Sequence, residues 1–88
     1  MTFKVEYTRT ARKQLNKMDR KIAAFILTFI EEKLVGCKNP RLFGKALQGN
    51  LSDKWRYRVG DYRILAKIED NKVIILVLEV GHRRDIYK

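Results

Sequence analysis

One cysteine in 88 residues, Cys37, rules out an intrachain disulfide, and a single histidine, His82, leaves the usual zinc constellations unassembled. No run approaches the roughly 18 apolar residues of a membrane span, and the N-terminal MTFKVEYTRT lacks the apolar stretch of a secretory signal. Without low-complexity sequence there is no sign of a disordered tail, and 88 residues leave no room for a second core. The expectation is a cytoplasmic protein with no metal, cofactor or membrane partner, its residues 1–88 forming a single domain. Acidic side chains are also scarce: ten Asp and Glu stand against twenty Lys and Arg, for a net charge of +10.

That charge needs a polyanion or an acidic protein to neutralise it, and nucleic acid is the first candidate. It is not confined to a detachable arm, since residues 1–40 hold nine basic and four acidic side chains and residues 41–88 hold eleven and six. The excess belongs to the folded body.

Residues 2–7 alternate, with Phe3, Val5 and Tyr7 against Lys4 and Glu6, as a half-buried strand would. Thr8 or Thr10 then caps a short basic helix through Ala11, Leu15 and Met18. Asp19 caps a second, whose apolar stripe of Ile22, Phe25, Ile26, Phe29, Ile30 and Leu34 is expected to cover a sheet before Gly36 and Pro40 stop it. A short strand is expected within residues 43–47, followed by a turn at Gly49-Asn50.

From Lys54 the pattern is sharper: Trp55, Tyr57 and Val59 alternate with Arg56 and Arg58, and Gly60-Asp61 supplies a two-residue hairpin turn. Tyr62, Ile64, Ala66 and Ile68 continue the apolar face on the return strand, so Arg58 should stand opposite Arg63 and Arg56 opposite Leu65. The segment 73–80 is apolar at nearly every position, as a strand inside the sheet and covered on both sides would be. The expected fold is a small α+β domain: an antiparallel sheet of three to five strands, an N-terminal helical hairpin on one face, and a partly open basic face on the other.

Like charges fixed opposite each other cost a few tenths to about 1 kcal/mol, and a phosphate between them reverses the sign. Arginine suits that use because its planar fork grips phosphate oxygens in bidentate fashion. Just past the last strand, VGHRRDIYK delivers His82, Arg83, Arg84 and Tyr87. In KALQGNLSDKWRYRVGDYRILAKI and VLEVGHRRDIY, taken in order, the chain resembles the RelE/ParE superfamily of bacterial and archaeal toxins from toxin–antitoxin pairs, and within it the RelE-like branch.

The resemblance implies a ribosome-dependent endonuclease of messenger RNA, silenced by a cognate antitoxin. It implies that Arg56 and Arg58 position the RNA backbone, that Arg63 and Arg83 stabilise the reacting phosphate, and that Tyr87 assists the chemistry or stacks on a base. Lys54 and Arg84 add attraction for RNA. RNA cleaves itself once its 2′-hydroxyl is lined up behind phosphorus and the developing charge is neutralised, so the protein needs mainly to position and stabilise. His82 is the one side chain whose ordinary pKa suits proton transfer near neutrality, and it is either a catalytic group or a structural strand-end histidine. The antitoxin should be acidic, with an amphipathic segment. The rival readings are a ParE-like inhibitor of DNA gyrase and a non-catalytic basic module that binds nucleic acid.

Overall fold

The alternation at the N-terminus becomes strand β1, Lys4–Tyr7, in the computed structural model, which describes residues 2–47 and 53–85. Thr8 ends β1 and caps helix α1, Arg9–Lys17: its hydroxyl oxygen accepts the Ala11 N–H at 3.1 Å and donates to the Leu78 carbonyl at 2.8 Å. Asp19 caps helix α2, Arg20–Phe29, accepting the Lys21 N–H at 2.9 Å, and the helix runs on as a wider π turn through Ile30–Leu34. Gly36, at a φ of +77°, takes the chain off the helix. Among the described residues no helix is long and apolar enough to cross a membrane.

Ile26, Ile30 and Leu34 of the expected stripe are wholly buried against the sheet, and Ile22 and Phe29 are half-buried. Phe25 departs from it at 59% exposure, leaning toward Gly60 in a hairpin turn of the sheet. Six apolar residues make a stripe wider than the sheet can cover, and its outer edge is left in solvent.

The remaining strands are β2 (Lys45–Ala46), β3 (Trp55–Val59), β4 (Tyr62–Glu69) and β5 (Ile74–His82), in the order β1-β5-β4-β3-β2. The Gly49-Asn50 turn lies outside the described residues. The hairpin register is the expected one: Val59 faces Tyr62, Arg58 faces Arg63, and Arg56 faces Leu65. In one respect the antiparallel expectation is corrected, because β1 joins β5 in parallel and makes the sheet mixed. Period-2 alternation reports that a strand has one buried face; it carries no information about the direction of its neighbour.

Strand β5 lies inside the sheet, between β1 and β4. Its helix-facing Ile75, Val77 and Val80 are buried, while Ile74 and Leu76 on the other side are only half-buried. The second face is therefore not covered as the apolar run suggested. Midway along β5 the ladder slips: Ala66 pairs with Val77, but Leu65 pairs with Glu79, leaving Leu78 as a bulge.

Tyr57, fully buried in the core, donates its phenol to the Pro40 carbonyl at 2.7 Å, and Trp55 Nε1 donates to the Phe43 carbonyl at 2.7 Å. These bonds strap the α2–β2 connection across β3, and the Arg41 guanidinium ties the same segment to Asp70 at 2.8 and 3.0 Å. Burial pushes the Tyr57 phenol well above its ordinary pKa, the nearby Cys37 adding to the rise and Arg41 opposing it. The folded state thus keeps a proton that the unfolded chain releases above about pH 10, so stability falls as pH rises through that point. Tyr57→Phe is expected to flatten this alkaline loss while lowering stability near neutrality by about 1–3 kcal/mol, since the Pro40 carbonyl loses its donor. Urea unfolding of both proteins between pH 7 and pH 11 measures the two effects together.

Candidate functional site

Strand alternation and the hairpin register together put Arg56, Arg58 and Arg63 on the sheet face away from the helices. The residues there fall into two rows across the strands. One row runs Lys45, Arg56, Leu65, Glu79; the other runs Arg58, Arg63, Gly81. With strands about 4.8 Å apart, the backbones of Arg56 and Glu79 are separated by roughly 10 Å, with Leu65 between them.

Leu65 is only 6% exposed although it stands outside the main core cluster. Arg58 and Arg63 are direct cross-strand partners, and Gly81 beside Arg63 adds no side chain to the row. The Arg83 N–H donates to the Asp61 carbonyl at 2.9 Å, extending the β4–β5 ladder by one step. Alternation across that step assigns position 83 to the face of Arg63.

Among the described residues the ion pairs are Arg41–Asp70 at 2.8 Å, Lys54–Asp53 at 2.9 Å and Lys72–Glu69 at 3.8 Å. None of them takes Arg56, Arg58 or Arg83, so no carboxylate neutralises those three in that way. Lys54, expected to attract RNA, lies just before β3 and holds Asp53, whose carboxyl is kept below its usual range first by that hydrogen bond. Arg56 and Arg58 also line a cavity of about 290 Å³ with Phe29, Phe43, Gly44 and Lys45, at the short β2 edge. Arg63 and Arg83 are not in its wall, so the arginines share a face but not that concavity.

His82 goes elsewhere. It pairs with Tyr62, which puts it on the helix side of the sheet, its ring meeting Tyr62 edge-on at 5.3 Å. There it borders a second cavity, of about 320 Å³, with Gln14, Lys17 and Met18 of the α1 region. Its Nδ1 accepts the Arg84 N–H at 3.2 Å, which stiffens the turn after β5. The structure thus gathers Arg56, Arg58, Arg63 and position 83, and separates His82 from them. Arg84 is exposed in the turn, and Tyr87 lies outside the described residues.

Glu79 is the residue on this face that sequence reasoning missed. Simple alternation from Ile75 and Val77 would send Glu79 into the core and His82 to the arginines. The bulge at Leu78 inverts both assignments. The available signal was slight: Val77 and Val80 are both apolar at a spacing that an unbroken strand cannot bury on one side.

The chain matches a family model described as the ParE toxin of the type II toxin–antitoxin system parDE, over residues 5–87. It is 35% identical over 88 residues to toxin RelG of Mycobacterium tuberculosis, covering 100% of this chain and 99% of that protein. It is 30% identical over 86 residues to toxin RelE of the same organism, covering 98% and 87%. Its structure is similar to the toxin–antitoxin complex RelBE2 from Mycobacterium tuberculosis, with a TM-score of 0.85 at 33% identity over 97% of this chain and 95% of that one. A mutant of Escherichia coli toxin RelE in the free state has the same fold, with a TM-score of 0.74 at 23% identity over 93% and 84%. A match spanning nearly all of its length, together with relatives of this identity and coverage, means that the chain belongs to the RelE/ParE family of toxins of type II toxin–antitoxin systems.

Proposed function

We propose that this toxin is a ribosome-dependent endonuclease that cuts messenger RNA by attack of a 2′-hydroxyl on the adjacent phosphate. The observation that carries the reading is Arg58 fixed opposite Arg63 on a face the helices leave uncovered, with Arg56 beside them in the neighbouring row. An anion turns that repulsive arrangement into an attractive one, and a phosphodiester between bidentate guanidiniums is the anion that fits. Arg63 and Arg83 stabilise the charge that develops on the phosphoryl oxygens, Arg56 and Arg58 hold the backbone, and Tyr87 stacks on a base or carries a proton. Arg84 adds general attraction; Lys54 does so only once released from Asp53. His82 serves by bracing the turn that carries Arg83 and Arg84.

The relatives named RelG and RelE support this reading, and the similar RelBE2 complex supports an antitoxin partner. The antitoxin is an acidic chain with an amphipathic segment: the charge of +10 asks for the first and the exposed Leu42 and Phe25 for the second. The description of the family model favours a second reading, inhibition of DNA gyrase. Adding the toxin to programmed ribosomes and mapping messenger ends, beside a gyrase supercoiling assay, separates the two. Cleavage without any effect on supercoiling is the expected result, and the reverse result overturns the proposal.

Binding through the RNA backbone also predicts a salt signature. Removing Arg56 and Arg58 together by alanine substitution should weaken single-stranded RNA binding and reduce the slope of log K against log salt by about 0.7 for each phosphate the pair neutralises. Binding titrations from 50 to 300 mM salt measure it, and an unchanged slope would show that these two side chains do not touch phosphate.

A further inference from the structure

Among the described residues, the arginines of this face stabilise charge but none of them can remove the proton from an attacking hydroxyl. Arginine stays protonated at any working pH and is a poor base. His82, the candidate from sequence, faces the helices on the other side of the sheet.

Glu79 is in the right place. It stands opposite Leu65 in the row that holds Arg56, two residue pairs along the ladder from Arg63 and Gly81, and it makes none of the ion pairs formed among the described residues. Its position follows from the bulge at Leu78, so the fold has departed from regular pairing to bring a carboxylate among the arginines. Asp61, the nearest acidic alternative, lies in the exposed hairpin turn beyond the rows, and Glu6 and Glu69 are further along the sheet.

We infer that Glu79 is the general base of the cleavage reaction, an inference that rests on the ribonuclease reading above. A phosphate gripped by Arg58 and Arg63 places the neighbouring ribose over Leu65, between Arg56 and Glu79. The Glu79 carboxylate takes the proton of the 2′-hydroxyl as the 2′-oxygen bonds to phosphorus. The bond from phosphorus to the 5′-oxygen breaks, and that oxygen leaves with a proton from water. The products are a 2′,3′-cyclic phosphate and a 5′-hydroxyl, and Glu79 returns its proton to solvent.

The test is single-turnover cleavage of messenger on programmed ribosomes by the full chain. Glu79→Gln keeps the shape and loses the base, and should lower the cleavage rate about 10²–10⁴-fold without weakening RNA binding. Glu79→Ala should regain part of its rate on addition of formate, compared with chloride at equal ionic strength. A structural role for Glu79 gives no such rescue. Glu6→Gln, which removes one negative charge from the same face away from the arginines, should cleave like wild type. Glu79→Gln within threefold of wild type, or Glu79→Ala unmoved by formate, overturns the inference while a cleaving wild type preserves the ribonuclease reading. A wild type that leaves messenger intact removes both.

Discussion

Arg63→Ala is expected to slow cleavage of ribosome-bound messenger by about 10²–10³-fold, the usual effect of removing one preorganised donor to a developing oxyanion. Arg63 is singled out by position: it is the direct cross-strand partner of Arg58 and stands opposite Gly81 on its other side. It lies in a long strand paired on both sides, so its backbone is the most firmly held of the arginines. Preorganisation of that kind matters most in the transition state, and the loss should therefore fall on the rate of the chemical step more than on RNA affinity.

Arg63→Lys should restore only part of the rate, since an ammonium keeps the charge but cannot grip two phosphoryl oxygens at once. Single-turnover rates at saturating toxin, measured with thermal unfolding of each variant, separate chemistry from folding. A rate within threefold of wild type for Arg63→Ala would remove the phosphate-stabilising role and, with it, the main support for a nuclease.

The hairpin at residues 54–70 was legible in the sequence because each of its determinants is local. A two-residue Gly-Asp turn sets the register, and strict alternation then decides which side chains share a face. The cap at Asp19 was legible for the same reason, a short polar side chain reaching an N–H two residues ahead, and the first cap was narrowed to Thr8 or Thr10, of which the fold uses Thr8. The parallel pairing of β1 with β5 was not, being a property of residues about seventy apart in sequence.

The site divides along the same line. Arg56, Arg58 and Arg63 follow from the hairpin alone, whereas the strand end that carries Glu79, His82 and Arg83 depends on one bulge. In a segment apolar at almost every position, an extra residue leaves little trace in the pattern, yet it exchanges the two faces for everything beyond it. That is why the sequence left His82 open between a catalytic and a structural part, and why Glu79 was overlooked. The Thr8 hydroxyl bonded to the Leu78 carbonyl shows what the bulged residue gains: a partner from the cap of α1.

Support for Arg56 comes from the strap behind β3, and Gly44→Ala should break it. Gly44 sits at a φ of +80°, and a Cβ there would run into the Arg56 carbonyl oxygen, with Trp55 Nε1 at 2.7 Å and Tyr57 Cδ1 at 3.0 Å. Gly36 provides the internal comparison, with a φ of +77° but nothing within 4 Å of an added Cβ. Gly36→Ala therefore carries backbone strain alone, about 1–2 kcal/mol. Gly44→Ala carries the same strain plus an overlap with main chain that cannot swing aside, a further 1–3 kcal/mol or so. At about 4–8 °C per kcal/mol for a domain of this size, the second variant should melt roughly 4–24 °C below the first. The folded fraction of Gly44→Ala should also bind RNA less well, because β2 must draw away from β3 where Lys45 pairs with Arg56. Thermal unfolding of the two variants, with RNA titration below both transitions, checks each step, and equal melting temperatures would mean that the strap yields without cost and does not position Arg56.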